Sequence, residues 1–218
     1  MLPESLKKAK RPCQLSWVLS VFRNRSKLTM LTLYNSLVRS KLEYCCFLSC
    51  LWNPSAVADI QKLESVQRVF TSKVAGCREL AYWERLKLLK IQSLQRRRER
   101  YAIIHTWKIL NNLTNNDIGL SFTDTENSSR TGITAKVPPV PRNVPARVVS
   151  LYEHSFAVKG PMLWNCLPKH VKGALTLSAF KGLLGDFLNQ IPDMPPSTGY
   201  TGVNNNSILD WAKQNNRI

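Results

Sequence analysis

A run of arginines is the part of this sequence best suited to binding a partner molecule. Arg96–Arg100 holds four arginines around one glutamate, near the start of a predicted helix. Since consecutive helical residues fan around the axis, Arg96 and Arg100 share one face, with Arg97 at its edge. Like charges at that spacing repel unless an anion offsets them, and nucleic-acid phosphates do so with salt-dependent affinity. We therefore predict a phosphate-binding stripe that two lysines of the preceding helix extend: Arg96, Arg97, Arg98, Arg100, Lys87 and Lys90.

The distribution of charge favours a polyanionic partner. The 218 residues carry 31 Lys+Arg and 14 Asp+Glu, a net charge of +17. Residues 1–100 account for +13 of this charge, and residues 101–218 account for +4. A solvated helix face without a ligand is the alternative interpretation of a charge run. The excess in the first half favours nucleic-acid contact over that alternative.

No catalytic constellation can be recognised in the sequence. It has no Gly-x-Ser-x-Gly elbow, no phosphate-cradling glycine-rich loop and no His-Glu-x-x-His helix. The early acidic residues stand beside Lys or Arg at helical spacing, which is typical of surface ion pairs. His105, His154 and His170 stand apart from any nucleophile or acid in a diagnostic pattern. We expect no enzymatic activity from this chain, no cofactor and no small-molecule substrate.

The cysteines indicate buried thiols rather than a metal centre or disulfides. None of the six forms a Cys-x-x-Cys pair, and Cys166 with His170 lacks a second pair to complete four zinc ligands. The N-terminus does not resemble a signal peptide, and the longest apolar run, Tyr44–Trp52, is about half the ~20 residues of a membrane span. We predict an intracellular protein, nuclear or cytoplasmic, with reduced cysteines and no membrane contact.

Helical periodicity dominates the first half of the chain. Apolar residues recur every three or four positions, interrupted by residues that start or stop helices, such as Asn53, Pro54 and Gly76. The pattern predicts a basic, bundle-like helical domain over 1–112. Its helices are expected over Leu6–Phe22, Lys27–Trp52, Pro54–Gly76, Tyr82–Lys90 and Ser93–Asn111.

The second half is less regular. Residues 113–145 are rich in Asn, Thr, Ser and Pro, which favours a linker or extended surface crossing. Residues 146–191 read as a small mixed region that contains one amphipathic helix, Thr176–Gln190. Residues 192–218 are rich in Pro, Gly and Asn and are expected to form a flexible tail. The predicted fold class is mainly α.

An ordered set of sequence blocks resembles a known family. In the first half the blocks are Leu33–Cys45, Leu51–Pro54, Ile60–Arg68, Tyr82–Leu86 and Ser93–Tyr101. In the second half they are Ser155–Val158, Gly160–Pro161, Leu163–Asn165, Leu167–Pro168 and Phe180–Lys181. In order and spacing, across about residues 15 to 211, they resemble the segment downstream of the palm in reverse transcriptases of non-LTR (LINE-type, jockey-like or CR1-like) retrotransposons.

The resemblance implies the thumb and post-thumb part of an RNA-directed DNA polymerase, which would grip a template–primer duplex. The family's Tyr-x-Asp-Asp motif and its endonuclease have no counterpart in these 218 residues. The resemblance therefore implies a fragment that does not polymerise by itself. Its implied partners are nucleic acid and the missing palm and fingers of the polymerase. Residues 1–14 do not fit the pattern clearly, as expected for a truncated copy that starts at Met1. A helical protein-interaction module and a translated retroelement remnant without function remain as alternatives.

Overall fold

Helices account for most of the regular structure, as the sequence predicts. The computed structural model describes residues 12–43, 57–124, 132–194 and 207–215. The chain divides into two compact units, the first comprising 1–45, 54–95 and 193–203, the second 46–53, 96–192 and 204–218. The sequence predicts a domain boundary at residue 112, whereas this division falls between Gln95 and Arg96, inside a helix.

The first unit contains four helical segments in its described part. These are α1 (Pro12–Val21), α2 (Lys27–Leu33), α3 (Val57–Thr71) and α4 (Tyr82–Leu89). Helix α2 runs on as a π-helical segment, Tyr34–Arg39, and a last α-helical turn, Ser40–Leu42. The helix predicted from Lys27 is therefore confirmed as far as Leu42. Its predicted extension to Trp52, and the helix start at Asn53 and Pro54, lie outside the described residues.

The core of the first unit is built from the apolar stripes of these helices. The rings of Tyr34 and Phe70 pack with their centroids 5.3 Å apart and join α2 to α3. Gly76 adopts the left-handed conformation expected of it, with φ +76°, but α3 already ends at Thr71. The buried apolar residues include Val18, Met30, Tyr34, Val38, Leu42, Ile60, Leu63, Phe70, Val74, Tyr82, Leu86 and Leu89.

Two carboxylates organise the start of the next helix, α5 (Leu94–Leu110). Glu64 is fully buried; its Oε1 accepts a hydrogen bond from the Gln95 backbone N–H at 3.0 Å, and its Oε2 accepts one from the Tyr82 hydroxyl at 2.7 Å. Asp193 Oδ2 accepts a hydrogen bond from the Ser93 backbone N–H at 2.7 Å. Carboxylates at this end satisfy donors that lack intrahelical partners and complement the helix dipole.

The second unit continues α5 from Arg96 and adds a small sheet and five further helices in its described part. The strands β1 (Phe122–Asp124) and β2 (Ile133–Ala135) pair antiparallel, with Phe122 opposite Ala135. The amphipathic helix predicted over Thr176–Gln190 is confirmed, with the bounds Leu177–Asn189. The region around it is more helical than the single helix predicted for 146–191. The helices are α6 (Ala146–Glu153), α7 (Phe156–Asn165), α8 (Lys169–Lys172), α9 (Leu177–Asn189) and α10 (Ile208–Gln214).

Aromatic rings fill the centre of the second unit. Trp107 of α5 stacks on Phe180 of α9 at 5.3 Å between centroids, and Trp164 of α7 lies 6.1 Å from Phe180. The same core contains Phe156 and Phe187. These residues pack as a core, as we expect for rings that lie on apolar helix faces.

Part of the predicted linker is packed into this unit. The Asn165 side chain donates to the Ala135 carbonyl and accepts from the Ala135 backbone N–H, both at 2.9 Å. Trp164 Nε1 donates to the Ile133 carbonyl at 3.0 Å. In the segment 113–145, for which the sequence predicts a linker or an extended surface crossing, side chains some 30 residues later complete the hydrogen bonds of β2.

The prediction of a flexible tail over 192–218 is wrong for residues 207–215. These residues form α10, which starts at Ser207, whose Oγ accepts from the Leu209 backbone N–H at 3.1 Å. Ile208 and Ala212 are fully buried in the core of the second unit. Burial of these side chains stabilises a seven-residue helix that would not persist alone in water.

Candidate nucleic-acid interface

Two of the predicted phosphate-binding arginines are inside the second unit. Arg96 is 1% exposed and Arg98 is 3% exposed. Arg96 Nη2 donates a hydrogen bond to the Pro192 carbonyl at 3.0 Å. A guanidinium in this position ties α5 to the chain that follows α9, and its charge faces protein rather than water.

The other two arginines of the run are partly exposed and also contact their own chain. Arg97 Nη2 donates to the Tyr101 hydroxyl at 2.9 Å, and its guanidinium lies 5.6 Å from the centre of the Tyr101 ring. Arg100 Nη2 donates to the Lys181 carbonyl in α9 at 3.1 Å. Burial, and secondly the charge of Arg97, lower the pKa of Arg100.

The run therefore differs from the open phosphate-binding stripe predicted for it. Arg96 and Arg100 both bind backbone carbonyls of the second unit, as residues at i and i+4 on one helix face can. Both lie on a face of α5 that packs against protein. The charge of the run predicts a surface feature, and nothing local in the run signals that Arg96 and Arg100 donate to the carbonyls of Pro192 and Lys181.

The two predicted lysines, by contrast, are solvent-exposed at the C-terminal end of α4 in the first unit. Lys87 Nζ lies 4.3 Å from the centre of the Trp83 ring, a cation–π distance. Lys90 ends the helix in a left-handed conformation, with φ 55°, and its backbone N–H bonds the Leu86 and Lys87 carbonyls. Both side chains are exposed.

A third lysine, which the sequence did not identify, joins them. Lys27, the first residue of α2, is exposed and donates from Nζ to the Leu88 carbonyl at 2.7 Å. A cation in this position also complements the C-terminal end of the α4 dipole. We call Lys27, Lys87 and Lys90 the lysine cluster. Lys27 and Leu88 are 61 residues apart in the chain, so no local sequence pattern predicts that Lys27 belongs to this cluster.

The lysine cluster is not neutralised by acids in the described part of the chain. Among those residues, no carboxylate lies within 4 Å of a cluster ammonium; Glu84, the acid of α4, instead accepts a hydrogen bond from the Ala81 backbone N–H at 2.9 Å. Two exposed leucines border the cluster, Leu28 at 79% and Leu88 at 49% exposure. Uncompensated ammonium groups beside a partly exposed indole can bind phosphates and an unpaired base or an apolar side chain.

Three titratable groups with shifted pKa values pack against protein: Cys166, His105 and Tyr82. Burial raises the pKa of the Cys166 thiol to about 11, so this thiol stays protonated and is a poor nucleophile near neutral pH. Burial also lowers the pKa of His105, whose ring packs 5.2 Å from that of Phe156. Burial and the neighbouring Glu64 raise the pKa of Tyr82 well above its usual value.

Metal-binding clusters and membrane-spanning helices are both absent from the described ranges. Within 12–43, 57–124, 132–194 and 207–215, no three His, Cys, Asp or Glu side chains are grouped so that they could hold a metal ion. No helix in those ranges combines the length and apolarity needed to cross a membrane.

Comparison with known proteins gives no relative for this chain. No family model, no curated protein and no solved structure matches it.

Proposed function

We propose that this chain is a nucleic-acid-binding fragment of a reverse transcriptase from a non-LTR retrotransposon, without the polymerase palm. The sequence blocks that resemble the thumb and post-thumb region support this assignment, together with the charge of +13 over residues 1–100. The chain binds the phosphate backbone of a duplex with little sequence preference and does not polymerise by itself. It acts inside the cell, in the nucleus or cytoplasm, where free thiols such as those of Cys77 and Cys166 stay reduced.

The observation that carries this proposal is the exposed lysine cluster at the end of α4. Lys27 Nζ donates to the carbonyl of Leu88, which lies between Lys87 and Lys90 in the chain, and the three ammonium groups lack carboxylate partners among the described residues. Lysines with these properties can release counterions from a duplex when they contact phosphates. The proposed contacts are therefore Lys27, Lys87 and Lys90, while buried Arg96 and Arg98 serve the fold.

Duplex binding measured at several salt concentrations tests the proposal. A labelled RNA–DNA duplex is titrated with the protein between about 50 and 200 mM KCl, and log Kd is plotted against log salt concentration. Each phosphate contact contributes roughly 0.9 to the slope for B-form DNA, so replacing all three cluster lysines by glutamine should reduce the slope by about 2 to 3. Titrations of the RNA strand alone and of a duplex with a second sequence measure the preference for a duplex and the preference for sequence.

A charge-matched variant separates the cluster from the effect of net charge. Lys41, Lys62 and Arg78 are exposed residues of the first unit, and their replacement by glutamine also removes three positive charges. This control should retain most of the slope. An equal reduction of the salt-dependence slope in both triple variants would contradict the proposal. So would binding by the wild type that does not depend on salt.

A protein-interaction module is the second candidate, and one observation favours it. Leu28 and Leu88 are exposed apolar residues beside the cluster, as in many partner-binding surfaces. In this case the chain should form a complex with a partner protein that survives nuclease treatment. The double substitution Leu28→Ser and Leu88→Ser should weaken that complex. The duplex affinity of that double variant should then equal that of the wild type.

A further inference from the structure

Lys172, at the end of α8, is a buried cation without an acidic partner in the described part of the chain. The residue is 7% exposed. Its Nζ donates to the Asn165 carbonyl across 3.4 Å and lies 5.8 Å from the centre of the Trp164 ring, but no described carboxylate lies within 4 Å of it. Burial lowers the pKa of this ammonium. A buried ammonium is costly to keep unless an anion or several acceptors surround it.

A cavity borders this lysine within the second unit. Its volume is about 160 Å³. A cavity of roughly 10–15 Å³ is enough to hold one water molecule. The space therefore accommodates a small organic molecule. Asn112, which is exposed, is one of its walls, so the cavity reaches the surface and a ligand can enter.

The walls combine one positive charge with amides and apolar groups. The apolar side consists of Leu110, Ile133 and Ala174, and the polar side of Asn111, Asn112 and Lys172. None of these six residues is acidic. A ligand that fits this set has one polar, negatively charged end and a short apolar body.

Hydrogen bonds within the chain satisfy several carbonyls at the end of α5, which borders the cavity. Helix C-termini carry partial negative charge on carbonyls that lack partners. Here the Trp107 carbonyl accepts from both the backbone N–H and the side-chain amide of Asn111, at 3.1 and 2.8 Å. The Ile109 carbonyl accepts from the Asn112 backbone N–H at 3.0 Å. These bonds reduce the partial negative charge that the Trp107 and Ile109 carbonyls present at this end of α5.

We propose that this cavity is a binding site for a small aliphatic monocarboxylate, whose carboxylate pairs with Lys172 and whose alkyl chain packs on Leu110, Ile133 and Ala174. One negative charge balances the one buried positive charge. A dianion such as phosphate would introduce a second charge that no cation of the cavity wall neutralises. The site is independent of the lysine cluster and of the proposed function.

Titration with butyrate and with its neutral analogue butyramide tests the proposal on the full chain. The signal is the ¹³Cε resonance of Lys172 in protein labelled at lysine, followed by NMR. Butyrate should shift this resonance with a Kd of about 1 mM, within the affinity range of a ligand with six non-hydrogen atoms. It should also raise the pKa of Lys172 toward its usual value, because the paired carboxylate favours the charged amine. Butyramide should bind at least tenfold more weakly.

Two variants complete the test by calorimetric titration. Lys172→Met should weaken butyrate binding at least tenfold, whereas Lys169→Met, an exposed lysine of the same short helix, should leave it unchanged. If Lys172→Met does not fold, the wild-type NMR titration decides alone. The proposal is overturned if butyrate leaves the Lys172 resonance in place, if butyramide binds equally well, or if inorganic phosphate binds at this lysine more tightly than butyrate.

Discussion

Glu99 Oε2 accepts a hydrogen bond at 3.0 Å from the backbone N–H of Ile208, a residue 109 positions later in the chain. Glu99 is 8% exposed, and the Ser207 side chain also bonds it. The bond fixes the first residue of α10, and Ile208 itself is buried in the core of the second unit. A carboxylate on α5 thus anchors the C-terminal helix.

The protonation of Glu99 should make stability depend on pH. Burial raises the pKa of Glu99 from 4.5 to about 6, against the smaller lowering effects of Arg96, Ser207, Ile208 and Lys159. Because the folded-state pKa exceeds the unfolded one, this contribution to stability is fully present below about pH 4.5 and is lost as the pH rises through about 6.

The comparison with Glu99→Gln measures this effect, since other groups titrate in both proteins. We expect the free energy of unfolding of the wild type, relative to Glu99→Gln, to fall by about 2 kcal/mol between pH 4 and pH 8. Urea denaturation at a series of pH values measures the difference. Glu153→Gln, which changes an exposed acid of α6, is the control for the removal of one acidic group. A constant difference between the wild type and Glu99→Gln across this range would contradict the assignment.

The helices that the sequence predicted best are those whose signal is local. In α9, the apolar positions Phe180, Leu184 and Leu188 repeat at helical spacing and are all buried. Thr176, directly before the helix, accepts from the Ala179 backbone N–H at 3.2 Å, as an N-cap residue should. The apolar spacing and the N-cap residue both lie within the helix or next to it, so they can be recognised from the sequence without the tertiary structure.

The features that the sequence did not reveal depend on distant residues. Helix α10 is short and follows a Pro- and Asn-rich stretch, and it is stabilised by Glu99 and by burial of Ile208. Lys27 joins the lysine cluster through the carbonyl of Leu88. Arg96 is buried because the Pro192 carbonyl receives its guanidinium. Residue type alone places the tail and the arginine in water and gives no partner for Lys27, and only the tertiary structure reveals these contacts.

The burial of Arg96 changes what its substitution should do. Arg96→Ala removes a buried guanidinium and leaves the Pro192 carbonyl without this donor, so we expect a loss of about 2–3 kcal/mol in the free energy of unfolding. Lys87→Ala, at an exposed site, should change it by less than about 0.5 kcal/mol. Chemical denaturation measures both. A combined substitution of Arg96, Arg97 and Arg100 would therefore test folding before it tested nucleic-acid binding, and equal stabilities of the two single variants would show that Arg96 is not structural.

Two glycines in helices offer a matched test of the packing in the second unit. A Cβ on Gly160 of α7 would lie 2.9 Å from Phe156 Cε2 and 3.1 Å from Thr106 Oγ1, and both of those residues are buried. A Cβ on Gly182 of α9 would have no neighbour within 4 Å. Alanine stabilises a helix interior by up to about 1 kcal/mol relative to glycine, whereas overpacking costs about 1–3 kcal/mol.

The two substitutions should therefore have opposite effects on stability. Gly182→Ala should raise the urea midpoint, because it gains helix propensity in open space. Gly160→Ala should lower it by the equivalent of about 1–2 kcal/mol, because the buried Phe156 ring and Thr106 must shift to admit the methyl group. The m-value should stay the same in both variants if only the native packing changes. A stabilised Gly160→Ala protein would mean that α5 and α7 do not approach as closely in solution as the contact at Thr106 requires.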